Sequence, residues 1–251
     1  MWPRLRFRRS PPLVALLQFR DARRMLDGWL ANVAPQVDGF VALDDASCDG
    51  AGDLVAAHPK CLELLRRERP AGDGFDEVGN HARLHAVAAR LAGAWFVAVD
   101  ADERLERSFR RRAEREIERL ERLGVGAASV RIVELWDRPD RMRVDGRWGD
   151  KRHARLFAHR VDPVLDPRPM HGHWAPLDSR RNGGFAEADL IVYHLGMLRR
   201  ADREARRRRW EERDPQHLHQ SIGYAHLTDE TGLELAPLPR WRAYRPRERL
   251  R

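Results

Sequence analysis

The sequence predicts an α/β protein with a mixed, mainly parallel sheet, helices on both faces, and a helical and irregular C-terminal extension. Short apolar runs that are typical of buried strands alternate with segments that have helical spacing. Two of these runs, residues 37–43 and 94–99, end in clusters of acids. Open α/β sheets bind their ligands where the strands end at their carboxyl edge, so these acids mark the expected binding edge.

The first half of the chain alternates predicted strands with helices. Residues 13–19 are an apolar run, and the segment at residues 20–33 places Met25, Trp29 and Val33 on one helical face. The next predicted elements are strands at residues 37–43, 62–65 and 94–99, a polar loop at residues 66–79, and a helix at residues 80–91.

The second half continues this alternation with more arginine. Phe109, Ala113, Ile117 and Leu120 recur at helical spacing, and arginines occupy the other faces of that helix. The later predicted elements are strands at residues 127–135, 151–158 and 188–193, and an arginine-dense helix at residues 199–213. Prolines beyond this helix indicate an irregular tail.

Length and composition fit one folded domain with an extension. The chain has 251 residues, of which 42% are hydrophobic and 34% are charged, which is enough for a core beneath a heavily solvated surface. We expect a basic N-terminal tail at residues 1–12 and a main domain at residues 13–198. The halves of this domain are residues 13–104 and 105–198, and the extension is residues 199–251.

The net charge of +8 is carried almost entirely by arginine, since Lys60 and Lys151 are the only lysines. Arginine binds phosphate and carboxylate groups in a bidentate manner, so an anionic partner is expected. A nucleotide diphosphate, an acidic glycan or lipid headgroup, and nucleic acid all fit this charge. The two cysteines form no CxxC motif, and no apolar run has the length of a membrane span. These features predict a cytoplasmic location, with peripheral contact between the basic tail and the inner face of an anionic membrane as an option.

The most informative stretch is residues 94–103. Asp100, Asp102 and Glu103 follow directly after a predicted central strand. Two carboxylates one residue apart can share Mg²⁺ or Mn²⁺ and leave coordination positions for substrate phosphates. Helix capping by Asp102 or Glu103 is the structural alternative.

A second acidic turn follows the apolar run at residues 37–43 and reads Asp-Asp-Ala-Ser-Cys-Asp-Gly-Ala from Asp44. The strand at residues 13–19, the pair Trp29 and Leu30, this turn, and the Val-Asp-Ala-Asp-Glu segment that begins at Val99 occur in order. In order and spacing they resemble the first half of family 2 glycosyltransferases with the GT-A fold.

This resemblance implies a GT-A-like, Rossmann-like fold and a role in cell envelope polysaccharide biosynthesis. The donor would be a UDP- or GDP-linked sugar, and the acceptor a glycan or a lipid-linked molecule. The implied cofactor is a divalent cation, Mn²⁺ or Mg²⁺, and the implied stereochemistry is inversion at the anomeric carbon.

The resemblance also implies roles for individual residues. The residues expected to bind the nucleotide sugar are Asp21, Asp45, Arg83 and Asp100. Asp102 and His194 are expected to bind the metal, and a histidine hydrogen-bonded within the core is the alternative for His194. The chain departs from the family at one turn, because Arg20 and Asp21 stand where an Asn-Glu pair is usual.

The catalytic base is less clear from the sequence. Related transferases often have a His-Glu pair where this chain has His171 and Gly172, so the expected acid is missing. Asp178 is the nearest carboxylate downstream and is predicted to accept the proton of the acceptor hydroxyl, with His171 as the second candidate.

Tryptophans are the predicted contacts for a sugar acceptor, because an apolar sugar face stacks on an indole ring. The candidates are Trp136, Trp148 and Trp174. For Trp136 and Trp148, packing in the core is the competing interpretation.

Two other functions remain open from the sequence. A haloacid dehalogenase-type phosphatase or phosphotransferase also places Asp-x-Asp after a strand, but near its N-terminus and soon followed by Thr or Gly, unlike Glu103 and Arg104 here. A basic nucleic-acid-binding protein is indicated only by the charge, and would bind with steep salt dependence and no need for Asp102. The glycosyltransferase interpretation accounts for more of the motifs, so no nucleic-acid partner is expected.

Overall fold

The computed structural model describes residues 10–68 and 76–246. The sequence predictions for most of the N-terminal tail and for the middle of the loop at residues 66–79 lie outside the described residues. The strands, in chain order, are β1 (Leu13–Phe19), β2 (Gly39–Asp44), β3 (Cys61–Arg66), β4 (Trp95–Ala98), β5 (Glu103–Leu105), β6 (Ala127–Glu134), β7 (Arg141–Arg143), β8 (Arg152–Ala158), β9 (Ala186–His194) and β10 (Leu235–Pro237). The α-helices are α1 (Arg23–Val33), α2 (Ala51–Ala56), α3 (Glu77–Ala88), α4 (Phe109–Arg122) and α5 (Arg200–Arg213).

Eight strands form one mixed sheet in the order β3-β2-β1-β4-β8-β6-β9-β5. Four of the seven pairings are parallel: β2 with β3, β1 with β2, β1 with β4, and β6 with β9. β8 runs antiparallel to β4 and β6, and β5 runs antiparallel to β9. The two remaining strands, β7 and β10, pair in a small separate sheet. The predicted α/β class with a mixed, mainly parallel sheet is confirmed.

Helices cover both faces of the large sheet, as predicted. Successive side chains of a strand point to opposite faces, so Ala15 and Val14 of β1 belong to different cores. Ala15 packs in the cluster that contains Trp29 of α1 and Ile117 of α4. Val14 packs in the cluster that contains Leu84 of α3. Among the described residues, no helix combines the length and apolar character needed to span a bilayer.

The segment after α5 packs against the outer end of the sheet through a buried ion pair. Glu106 follows β5, is fully buried, and accepts hydrogen bonds from the Ile191 backbone N–H at 2.9 Å and from the Arg242 guanidinium. Arg242 also contacts Asp189 at 2.6 Å. Tyr244 of the same segment is fully buried in a small hydrophobic core that also contains Ile191. The extension is therefore partly integrated into the fold.

Two histidines of α3, His81 and His85, are buried against Trp174. The His85 Nε2–H donates to the Trp174 carbonyl at 2.9 Å, and the His81 ring lies on the Trp174 indole with centroids 4.0 Å apart. Burial disfavours the protonated imidazole and lowers the pKa of each histidine to about 4. The unfolded chain takes up these protons near pH 6.5, so it binds more protons than the folded chain between these two values.

We therefore expect the fold to weaken in acid. The stabilisation by His81 and His85 is complete above about pH 6.5 and is lost as the pH falls towards 4, at about 3 kcal/mol for each histidine. Glu77 acts in the opposite sense, because burial raises its pKa to about 7 and its contribution is lost as the pH rises. Over the interval from pH 6.5 to pH 4.5, each histidine loses about 2 kcal/mol and Glu77 regains about 2 kcal/mol, so urea unfolding followed by tryptophan fluorescence should show a net loss of about 2 kcal/mol from these three groups. His85→Gln, which keeps a donor for the Trp174 carbonyl, should reduce this loss, and an unfolding free energy that is flat over the interval would contradict the prediction.

Candidate active site

A cavity of about 880 Å³ lies at the edge where β1, β2 and β4 end. Asp21, Asp45 and Asp100 follow these three parallel strands and line the cavity. Its other walls include side chains of α5, together with His171, Gly172 and Trp174. The acids after the second and fourth strands therefore face one common space.

The structure divides the predicted site residues into two groups. Those that line the cavity are Asp21, Asp45, Asp100, Asp102, His171, His194, Trp148 and Trp174. Those that lie outside it are Arg83, Trp136 and Asp178.

Asp178 supports a loop away from the cavity. It lies in a short 3₁₀ helix, accepts a hydrogen bond from the Val164 backbone N–H at 3.3 Å, and forms an ion pair with Arg160 at 2.9 Å. A base must reach the acceptor hydroxyl, and this carboxylate is engaged elsewhere, so the role predicted for Asp178 is not retained. Arg83 points to Asp76 at 3.4 Å, outside the cavity, and its predicted role is not retained either.

Trp136 follows the competing interpretation of core packing. Its side chain is fully buried, and its indole N–H donates to Glu230 at 3.3 Å. The guanidinium groups of Arg143 and Arg203 lie 4.4 and 4.2 Å from the ring centroid. No face of the indole remains for a sugar. The acceptor role predicted for Trp136 is therefore withdrawn.

The loops after β1 and β2 are tied to each other. Asp21 accepts a hydrogen bond from the Cys48 backbone N–H at 2.8 Å, and its own N–H donates to the Ser47 hydroxyl at 2.9 Å. Asp44 accepts from the Ser47 N–H at 2.8 Å, which leaves Asp45 as the acid of this turn that lines the cavity. Asp45 is almost fully buried and contacts Arg67 at 3.2 Å.

Asp100 belongs to a buried cluster that the sequence did not reveal in full. Arg155 in β8 donates from one nitrogen to Asp100 at 2.7 Å and to Glu103 at 2.9 Å. The other Glu103 oxygen accepts the Asp100 backbone N–H at 2.8 Å. The remaining Arg155 nitrogens, Nε and Nη1, are buried without a hydrogen-bond partner among the described residues. The Arg-Leu-Phe sequence of β8 was the available signal for this arginine.

Asp102 heads a chain of charged groups. Its Oδ2 atom lies 3.1 Å from His194 Nε2 and 2.5 Å from an Arg206 nitrogen. The other His194 nitrogen contacts the fully buried Glu134, which in turn accepts from Lys151 at 2.6 Å. Burial alone would lower the pKa of His194, but the carboxylates of Glu134 and Asp102 raise it to about 9. Burial would likewise raise the pKa of Asp102, but His194 and Arg206 hold it well below its usual range.

A divalent cation fits the pair Asp102 and His194 when it displaces the proton that His194 Nε2 directs at Asp102. A metal-binding histidine usually directs its second nitrogen to a carboxylate, as His194 does to Glu134. The absence of a side chain at Gly196 leaves room beside both donors, because a Cβ there would lie 2.4 Å from Asp102 Oδ2 and 2.8 Å from His194 Nε2. Arg206 borders the same space and would compete with a cation for Asp102. Within residues 10–68 and 76–246, no group of three or more His, Cys, Asp or Glu side chains could hold a metal, so substrate oxygens would have to complete the coordination.

Arginines of α5 form a positively charged wall of the cavity. Arg206, Arg209 and Arg213 line the cavity together with Arg147 and Lys151. Burial, reinforced by the neighbouring charges of Arg206 and Arg213, lowers the pKa of Arg209. Cations held this close to one another favour a multiply charged anion such as a diphosphate. The arginine density of residues 199–213 was the signal for this wall in the sequence.

Comparison with known proteins gives structural matches only. No known family and no curated protein matches the sequence. A mannosyltransferase from Pyrobaculum calidifontis in complex with GDP-Man and Mn²⁺ is 18% identical, with a TM-score of 0.47 over 88% of this chain and 67% of that chain. Glucosyl-3-phosphoglycerate synthase from Mycobacterium tuberculosis with Mn²⁺ and UDP is 16% identical, with a TM-score of 0.33 over 52% of this chain and 46% of the synthase. A mycobacterial protein is 15% identical, with a TM-score of 0.40 over 73% of this chain and 65% of that chain.

Proposed function

We propose that this protein is a metal-dependent glycosyltransferase. It would transfer a sugar from a UDP- or GDP-linked donor to a glycan or lipid-linked acceptor, with inversion at the anomeric carbon. The main support is that one cavity is lined by three kinds of group: Asp45, which is expected to bind the nucleotide, the pair Asp102 and His194, and the arginines of α5. That set of groups matches the parts of a nucleotide-diphosphate sugar bound through a cation.

Each group has a distinct role in this proposal. The Asp45 carboxylate accepts hydrogen bonds from N–H groups of the base, and Asp100 accepts hydrogen bonds from the ribose. Asp102 and His194 hold the cation, and Arg206 and Arg209 lie beside the phosphates. When bound, Mn²⁺ or Mg²⁺ would offset the negative charge that develops on the leaving nucleotide diphosphate.

The acceptor is assigned to the part of the cavity near the tryptophans. Trp148 and Trp174 both line it, and at 6% exposure each presents a small part of its ring to the cavity. We assign the reaction to the cytoplasm, and the basic N-terminal tail offers peripheral contact with an anionic membrane that carries a lipid-linked acceptor.

Calorimetric titration with UDP and GDP, with and without Mn²⁺, tests the donor site. One of the two nucleotides should bind, and its affinity should depend on Mn²⁺. Asp45→Asn should lower that affinity by about 10- to 100-fold, because a charge-assisted hydrogen bond to the base is lost. Asp53→Asn is the matched control, because Asp53 is exposed and its ion pair among the described residues is with Arg66. Equal affinity in Asp45→Asn, or no nucleotide binding by the native protein, would contradict the proposal.

The native protein and an Asp102→Asn variant separate the two rival functions. A phosphatase would release inorganic phosphate from phosphate esters without a sugar nucleotide. A nucleic-acid-binding protein would bind DNA or RNA with steep salt dependence that Asp102→Asn leaves unchanged.

A further inference from the structure

We infer that Glu77 is the general base of this reaction, the group that accepts the proton of the acceptor hydroxyl. The inference rests on the proposed function. Glu77 is the first residue of α3, and its half-buried side chain lines the cavity. It comes from a different part of the chain than the bases predicted from the sequence.

The Glu77 carboxylate lies beside Gly172, the position at which related transferases often have a glutamate. Its Oε1 atom accepts the Gly172 backbone N–H at 2.9 Å, and its Oε2 atom accepts the His171 N–H at 3.3 Å. A Cβ built on Gly172 would lie 3.6 Å from Glu77 Oε1. The carboxylate that residue 172 does not provide is therefore supplied beside it by α3.

The carboxylates of the cavity differ in their partners. Those that line it are Asp21, Asp45, Glu77, Asp100, Asp102, Glu103, Glu134 and Asp202. Within the described parts of the chain, every one of these except Glu77 has an arginine, lysine or histidine nitrogen within 4 Å. An adjacent cation stabilises the ionised carboxylate and makes it a poor proton acceptor. Among the described residues, the Glu77 carboxylate is hydrogen-bonded by neutral backbone N–H groups. Burial also raises the pKa of Glu103 to about 7, but that side chain is fully buried, and its two oxygens accept from Arg155 and the Asp100 N–H.

The charges around Glu77 also favour proton transfer near neutral pH. Burial raises its pKa to about 7, the backbone N–H groups of Gly172 and His171 oppose this rise, and Asp100 adds to it. Arg155 lowers the pKa of Glu77, and Arg168 is a further nearby cation. A base whose pKa lies close to the working pH is the most effective, because it is both ionised and able to take a proton.

The other candidate in the cavity is less suitable. His171 Nε2 lies 3.3 Å from the Tyr224 hydroxyl, which donates to Asp214 at 2.9 Å. The imidazole is thus engaged, through Nε2, in a hydrogen-bond network with Tyr224, another residue that lines the cavity. Its backbone N–H, in contrast, orients the carboxylate of Glu77.

The proton and electron balance of the step is simple. The acceptor O–H bond breaks, its proton moves to the Glu77 carboxylate, and the oxygen lone pair forms a bond to the anomeric carbon. The bond from that carbon to the phosphate oxygen breaks, and its electron pair leaves with the nucleotide diphosphate. The resulting carboxylic acid then loses its proton to water.

The test uses water as the acceptor, so the natural acceptor is not required. UDP-glucose and GDP-mannose are incubated with the protein and Mn²⁺, and release of UDP or GDP is measured. Glu77→Gln should lower this rate by about 100-fold or more while the nucleotide affinity stays unchanged. Glu63→Gln, which removes a surface ion pair with Arg90, is the matched control and should keep the native rate.

Two further measurements separate a base from a residue that merely supports the loop. The native rate should rise with pH up to about 7, and the residual rate of Glu77→Gln should lack this rise. Azide attacks as an anion and needs no base, so it should restore donor consumption in Glu77→Ala. A folded, nucleotide-binding Glu77→Ala that azide does not rescue would overturn the inference.

The outcomes also distinguish the inference from the proposed function. If the native protein neither binds nor consumes a sugar nucleotide, the proposed function fails. If it does both and Glu77→Gln turns over at the native rate, only the role of Glu77 is overturned. If Glu77→Gln does not fold, the pH profile of the native protein decides, and a rate that is flat around pH 7 refutes the inference.

Discussion

Asp102→Asn is expected to abolish turnover of the sugar nucleotide, with a loss of about 1,000-fold at saturating Mn²⁺. Asparagine keeps the shape of the side chain but removes the charge that faces His194 at 3.1 Å and Arg206 at 2.5 Å. A neutral amide is a weak ligand for a hard cation, so the ion would no longer be held beside the phosphates. Release of UDP or GDP measures turnover, and calorimetry with Mn²⁺ measures binding of the ion directly.

Two variants calibrate this effect. Glu134→Gln removes the carboxylate behind His194 and should weaken Mn²⁺ binding by about 10- to 100-fold, which is a smaller loss than that of the ligand itself. Asp140→Asn changes an acid that pairs, within the described part of the chain, with Arg138 away from the cavity, and should leave turnover unchanged. Native turnover in Asp102→Asn would rule out this carboxylate as a metal ligand.

Glu106→Ala is expected to give the largest loss of stability, about 3 to 5 kcal/mol in the free energy of unfolding. The carboxylate is fully buried and accepts hydrogen bonds from Arg242 and from the Ile191 N–H. Its removal leaves the largely buried guanidinium of Arg242 with the exposed Asp189 as its one remaining counter-charge among the described residues. Urea unfolding followed by circular dichroism measures the loss.

A surface ion pair and a double variant serve as controls. Glu204→Ala breaks an exposed pair with Arg200 and should change the free energy of unfolding by less than about 1 kcal/mol. Glu106→Leu combined with Arg242→Met removes both buried charges and should be more stable than Glu106→Ala alone. If Glu106→Ala were as stable as Glu204→Ala, the ion pair would not anchor the C-terminal segment.

Most of the fold could be predicted because its strands are short apolar runs with clear ends. β1 was predicted with its observed bounds, and α5 begins one residue after the predicted start. The start of α3 was predicted three residues late, at Asn80, because the polar sequence before it is typical of a loop. In the structure, Asp76 caps this helix by accepting the Gly79 N–H at 2.8 Å. The late predicted start matters, because it placed Glu77 in a loop instead of at the beginning of a helix.

The candidate site was predictable only where its residues are adjacent in sequence. Asp100 and Asp102 follow one strand, so a local motif revealed them. Glu134 and His194 lie 60 positions apart and meet because β6 and β9 pair in a register that places them side by side. Hydrophobic periodicity predicts that such strands exist but does not determine their register.

Trp136 illustrates the opposite error. Tryptophans among polar residues are typical of sugar-binding surfaces, but they are equally able to pack between guanidinium groups. The choice depends on Arg203, which lies in a helix far along the chain. Composition around the tryptophan contains no information about that neighbour.

Arg206 has a consequence for how the protein would handle its cation. This guanidinium gives Asp102 a counter-charge that is part of the chain, so a divalent ion arriving there would exchange one positive partner for another. The fold would not depend on the ion to tolerate a carboxylate in its interior. If the proposed function is right, a cation held on these terms would be able to leave with each nucleotide.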